Sequence, residues 1–308
     1  IKDALPPFNQ QANSDLILRS SDHVDFHVHK LILSIASPIF EDMLSIPQTS
    51  QSVDEHRDGL PIVMLEEDAQ MIDFMLRMIY PVPSPVITKL DDLRFVLGPS
   101  QKYLFSIYEG FAEESLEKAL KWEPISVYVL ACKYKYPGAA AKAAEASLSL
   151  PLTTPSQYLD DICGEQYHRL LLYRQKCVAA TTDVVSSTSW FQPIPTTVFE
   201  NSATCGCYTQ AQEPSASQKR WYGPSYLWTY LTRVGLALRE TPSSQCIIAD
   251  KGDDLNKVFS CGHRGYSFPG YKDTTKGFTQ FCQLLVEKVN RAVAQVNIDL
   301  YFLSSARI

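Results

Sequence analysis

Long apolar runs, clustered basic residues and short catalytic signatures are what this chain lacks. No stretch approaches the ~20 consecutive apolar residues that a membrane-spanning helix needs, so the sequence predicts a soluble globular protein with no membrane partner. Lys and Arg number 28 against 34 Asp and Glu, a formal charge of −6. Nucleic-acid binding needs clustered cations to displace counterions from phosphates, and it is not expected here. The region after Ile1 has no basic stretch followed by an apolar one, so an intracellular site, cytoplasmic or nuclear, is expected. In that setting the eight cysteines read as reduced thiols or metal ligands, not as a disulfide framework. There is no G-x-S-x-G elbow, no Walker-type phosphate loop and no local signature of a cysteine protease. Cys163 and Cys177, near His168, read as small core residues, and no enzymatic activity is expected.

What is present is patterned. Leu16, Ile17 and Leu18 form a short apolar run, Ser21-Asp22-His23 is a turn cluster, and Val24, Phe26 and Val28 alternate with Asp25 and His27. Two strands in a hairpin with one buried face follow from that alternation. His23, Asp25, His27 and His29 then share the other face, which reads as a polar hairpin surface. After His29 the period changes, with Leu31, Ile32, Ile35 and Ala36 at helical spacing. Ser37-Pro38 ends that helix and starts a second one, because serine caps and proline suits a first turn. Pro61 to Leu65 reads as a strand, and Asp68 opens a helix with Gln70, Asp73 and Arg77 as its polar stripe. Leu90 to Lys102 is the next helix, with a kink or a short break expected at Gly98-Pro99-Ser100.

Asp15 at the head of the first strand, Val28-His29-Lys30 before the first helix, and Ser37-Pro38-x-Phe40 resemble the opening of a BTB/POZ domain. The stretch F-x-x-M-L, then D-G-L-P-I-V-x-L-x-E-D, then I-Y-P-V-P is similar to BTB proteins abundant in mushroom-forming fungi. The resemblance implies an α+β fold: a BTB/POZ domain of small sheet and helices, then a helical extension, then a small C-terminal module. It implies noncatalytic protein–protein interaction with self-association into a homodimer, and it puts Asp15 and Lys30 in a charged pocket near the dimer interface. Some BTB proteins are substrate adaptors of cullin-type ubiquitin ligases, in which a hydrophobic-x-acidic triplet helps to contact the cullin. Val53-Asp54-Glu55 has that form, which makes a cullin the alternative partner through Val53 and Glu55, although solvated loop charge is the commoner meaning of such a triplet.

The boundaries expected are 14–122 for the BTB/POZ domain, 123–185 for the helical extension, 186–220 for a linker and 221–308 for the C-terminal module. A helix is expected over Glu165 to Ala180, a turn-rich and partly disordered linker from about Thr181, and helices over Ser225 to Glu240 and Phe278 to Val296. Val296 to Phe302 alternates like a strand. Trp221, Tyr222, Tyr226, Trp228 and Tyr230 give a looser resemblance to the C-terminal part of the fungal proteins. Cys205-Gly206-Cys207 and Cys261-Gly262-His263 together supply the four Cys/His ligands of a tetrahedral structural zinc site. Buried thiols and a disulfide remain open beside the zinc reading, buried thiols being the commoner outcome. No cofactor is otherwise expected.

Overall fold

The computed structural model describes residues 1–9, 13–45, 56–87, 89–187, 190, 208–212, 220–249 and 271–300. The chain forms two compact units, Ile1–Glu123 with Lys133–Ala139, and Pro124–Cys132 with Ala140–Ile308.

The first unit is built on a five-stranded sheet. β2 (Leu16–Arg19) and β3 (Val24–Val28) form the hairpin, antiparallel with Leu18 opposite Phe26. His23 closes the turn with a positive φ of 62°, a conformation that His tolerates better than most residues other than glycine. β1 (Lys2–Asp3) lies parallel to β3, while β5 (Leu60–Met64) lies parallel to β2 and antiparallel to β4 (His56–Arg57). The strand order is therefore β1-β3-β2-β5-β4. Every residue of β2 is buried and so are Asp25, Phe26, His27 and Val28 of β3. The single buried face read from the alternation is corrected: the hairpin is covered on both faces, and Asp25 and His27 do not form a solvated polar surface.

α1 (Lys30–Ala36) and α2 (Pro38–Ser45) meet at Ser37. Its hydroxyl accepts from Phe40 N at 3.1 Å, capping α2, and donates to Tyr103 O at 2.5 Å. α3 (Ala69–Ile79) starts at Asp68, whose carboxylate accepts from Met71 N at 2.8 Å. Its inner face holds Ile72, Phe74, Met75, Leu76 and Met78. A 3-10 turn over Leu90–Leu93 leads into α4 (Arg94–Tyr103), which runs unbroken through Pro99. The helix is not interrupted at Gly98-Pro99-Ser100, because packing outweighs the hydrogen bond that proline removes. Val96, Leu97 and Pro99 are buried, and Ser100 Oγ receives a bond from Tyr136 Oη at 3.1 Å. α5 (Ser106–Ala119) follows with Tyr108, Ala112 and Leu116 inward.

In the second unit, α6 (Pro124–Lys133), α7 (Pro137–Ser147) and α8 (Gly164–Ser186) are followed by the antiparallel pair β6 (Tyr208–Gln212) and β7 (Arg220–Pro224). Then come α9 (Ser225–Glu240), α10 (Gln245–Ala249) and α11 (Tyr271–Ala294). One core joins Leu227, Leu231, Val234 and Leu238 of α9 to Phe278, Phe281, Leu285 and Val289 of α11. Three expectations are corrected here. α8 continues beyond Ala180 to Ser186, the stretch read as linker contains β6 and an anchored Trp190, and residues 296–300 form no strand. Trp190 stacks on Phe281 with centroids 5.6 Å apart and donates to Val184 O at 2.7 Å.

Candidate protein-interaction face

The start of α1 is where sequence and geometry converge. A helix leaves its first amides without intrahelical acceptors. Here the acceptors come from distant elements: Lys30 N donates to Asp15 Oδ1 at 2.8 Å, and His29 N donates to Tyr80 Oη at 2.8 Å. Tyr80 ends α3 and is buried, and burial raises its hydroxyl pKa, which keeps it a neutral acceptor and donor. Asp15 and Lys30 are thus brought together, but by a carboxylate meeting a main-chain amide. Asp15 is itself exposed and not a buried charge.

Fixed in this way, α1 buries Leu33 and turns two large apolar side chains outward one turn apart. Leu31 is 70% exposed and Ile35 78%. Residues four apart on a helix lie on one face, so the two form a single apolar patch. Helical spacing alone could not tell this outward pair from the inward Leu33.

Behind the helices, Asp25 is fully buried and its carboxylate is surrounded by guanidinium groups. Arg19 Nε and Nη2 donate at 2.6 and 3.0 Å, and Arg57 Nη1 donates at 2.7 Å. Arg57 also reaches Asp3 at 2.8 Å, so β1, β2, β3 and β4 share one ionic chain. Arg57 was not singled out in the sequence, where nothing links it to Asp25 across more than thirty residues.

The zinc candidates Cys205, Cys207, Cys261 and His263, and the cullin candidates Val53 and Glu55, lie outside the described residues. Among the described residues no group of three or more His, Cys, Asp or Glu side chains is placed to hold a metal. Cys177 is a core residue, and burial pushes its thiol up to about 11, away from thiolate chemistry. Cys163 corrects the core reading: it precedes α8 and is exposed. No helix among the described residues is long and apolar enough to cross a membrane.

Residues 6–115 match the family model of the BTB/POZ domain. No curated protein matches the chain. The matched stretch contains the hairpin, the α1–α2 corner and α3 to most of α5, so this part of the α+β fold is a BTB domain, a module of protein–protein interaction.

Proposed function

We propose that this protein is a noncatalytic interaction and scaffold protein that self-associates through α1 of its BTB domain. The observation that carries the reading is the outward pair Leu31 and Ile35 on a helix whose start is locked by Asp15 and Tyr80. An apolar patch on a rigid element favours contact with another surface. In a twofold pair each copy contributes the same patch, and residue i meets residue j reciprocally. Burying both patches is worth roughly 6 kcal/mol at about 1.5 kcal/mol or more per side chain. That is near the lower end of the ~4–15 kcal/mol that association costs in lost freedom, so pairing depends on concentration. The kinship with BTB proteins of mushroom-forming fungi belongs to the same reading and rests on the F-x-x-M-L and I-Y-P-V-P stretches.

Light scattering of the full chain at micromolar concentrations tests it. The expected mass rises towards twice that of one chain. Leu31→Glu with Ile35→Glu is expected to hold the protein monomeric while leaving its urea midpoint unchanged when the two are compared at a concentration where the unaltered chain is monomeric, since both side chains are exposed in the single chain. A monomer at every concentration for the unaltered protein rejects self-association. Co-purification of a cullin N-terminal region that depends on Val53 and Glu55 would put the adaptor reading in its place.

A further inference from the structure

Residues 1–9 sit on the outer edge of β3 as a bound peptide would. β1 is only two residues long, with Lys2 opposite Val24 and Asp3 opposite Asp25. Beside the β1–β3 ladder, main-chain bonds hold the segment to the edge: Lys2 N to His23 O at 3.1 Å, Ala4 N to Asp25 O at 2.9 Å, and His27 N to Phe8 O at 2.9 Å. Two side chains anchor it. The Asp3 carboxylate meets Arg57 Nη1 at 2.8 Å. The Phe8 ring is fully buried, edge-on to Tyr80 with centroids 5.2 Å apart, tilted against Phe26, and under the Arg77 guanidinium at 5.9 Å. Arg77 Nη2 also donates to Pro6 O at 3.1 Å, while Leu5, between the anchors, is 79% exposed.

We propose that this edge, with Arg57 at one end and the Phe26–Tyr80–Arg77 pocket at the other, is a docking groove for an extended segment. Its ligand carries a carboxylate and, five residues later, an aromatic ring. Residues 1–9 are the occupant in cis, and a partner segment with the same pattern takes their place. Strand addition to a sheet edge works in this manner, main-chain bonds supplying general affinity and side-chain pockets supplying selectivity. The division of labour is visible in the burial. The enclosed ring of Phe8 provides most of the holding energy, because aromatic burial dominates such contacts. The half-exposed Asp3–Arg57 pair sets register, since solvated ion pairs contribute little energy. A two-residue strand at a sheet edge belongs to the part of a fold that opens most readily, which gives an incoming segment access. The groove shares Tyr80 with the start of α1, but Leu31 and Ile35 are not among its residues, so peptide binding and self-association are read by separate measurements.

The test uses a fluorescein-labelled peptide of residues 1–9 titrated with the full chain by fluorescence anisotropy. The cis segment competes at high effective concentration, so Phe8→Ala, which empties the pocket, is expected to bind the peptide at least about tenfold tighter than the unaltered chain does. A peptide whose own phenylalanine is alanine is expected to lose that gain, and one with asparagine for its aspartate to lose part of it. A folded Phe8→Ala chain that does not bind the peptide, or binds the alanine peptide equally well, overturns the proposal. Should Phe8→Ala fail to fold, Phe8→Leu decides, because leucine still fills part of the pocket while losing the ring contacts with Tyr80, Phe26 and Arg77. Faster hydrogen exchange at the His27 amide and tighter peptide binding than in the unaltered chain are expected. Unchanged exchange and binding overturn it.

Discussion

Asp25 shows how far one buried carboxylate is shaped by its partners. Burial alone would raise its pKa, but hydrogen bonds from Arg19 and Arg57 more than offset that and hold it below the ordinary aspartate value of 3.8. A folded pKa below the unfolded one contributes stability that is present above the unfolded value and is lost as pH falls through the folded one. Glu67 adds to the same acid window. Its burial would raise it, yet Lys102 at 2.8 Å and Tyr103 at 2.6 Å hold it down. Asp25→Asn leaves Arg19 buried without its counter-ion and is expected to cost about 3–5 kcal/mol in urea unfolding at neutral pH. The variant is also expected to show a flatter loss of stability between about pH 5 and pH 2 than the unaltered chain. An unchanged urea midpoint and an unchanged acid profile would refute the assignment. Period-two alternation placed Asp25 and His27 on one face of β3, while His23 falls in the turn. What alternation does not carry is coverage: the face read as solvated is closed by Arg19 from the paired strand and Arg57 from three strands away.

The helices were most legible where their polar stripe faces water. α3 and α9 follow their apolar spacing closely, whereas the end of α8 does not, and the reason is chemical. Thr181, Thr182 and Ser186 look like linker residues, yet their hydroxyls donate to the carbonyls of Cys177, Val178 and Thr182, four residues back, so polar composition stays within the helix. Val184 and Val185 pack on the α9–α11 core and give that last turn a reason to persist. Arg174 is the stronger case of a polar residue serving structure. It is buried and donates to Ser147 O at 3.1 Å, to Leu150 O at 2.6 Å and to Glu240 O, so one guanidinium closes the end of α7 and the end of α9. A cation suits helix C-termini because their last carbonyls are unsatisfied and carry partial negative charge. Arg174→Met keeps the length and loses all three bonds. About 3 kcal/mol of destabilisation is expected in thermal unfolding, with α8 and the end of α9 gaining hydrogen-exchange rate. An effect under about 0.5 kcal/mol would mean that water replaces the guanidinium without loss.

On the scale of the whole molecule, local order was legible and long-range closure was not. The hairpin, the Ser37-Pro38 corner and the caps are written in adjacent residues, whereas the pairing of Asp15 with Lys30 came from the family resemblance and not from a local pattern. The outward turn of Leu31 and Ile35, the reach of Arg57 and the route of the chain between its two units depend on contacts that no local pattern encodes. The first unit is not closed when the chain reaches Glu123: it needs Lys133–Ala139, where Tyr134 O accepts from Gln101 Nε2 at 2.7 Å and Tyr136 meets Ser100. A fragment ending at residue 139 is therefore expected to melt higher than one ending at residue 123, by calorimetry, and equal melting temperatures would show those seven residues to be passengers. The same return has a meaning in time. Synthesis proceeds at about 5–20 residues per second, so the BTB sheet and its helices wait roughly one to three seconds between the addition of Glu123 and of Ala139. Within that interval Pro124–Cys132, which belongs to the other unit, is made with little else of its own unit to fold against. The nascent chain thus holds two unfinished cores at once, and a chaperone has something to bind in both.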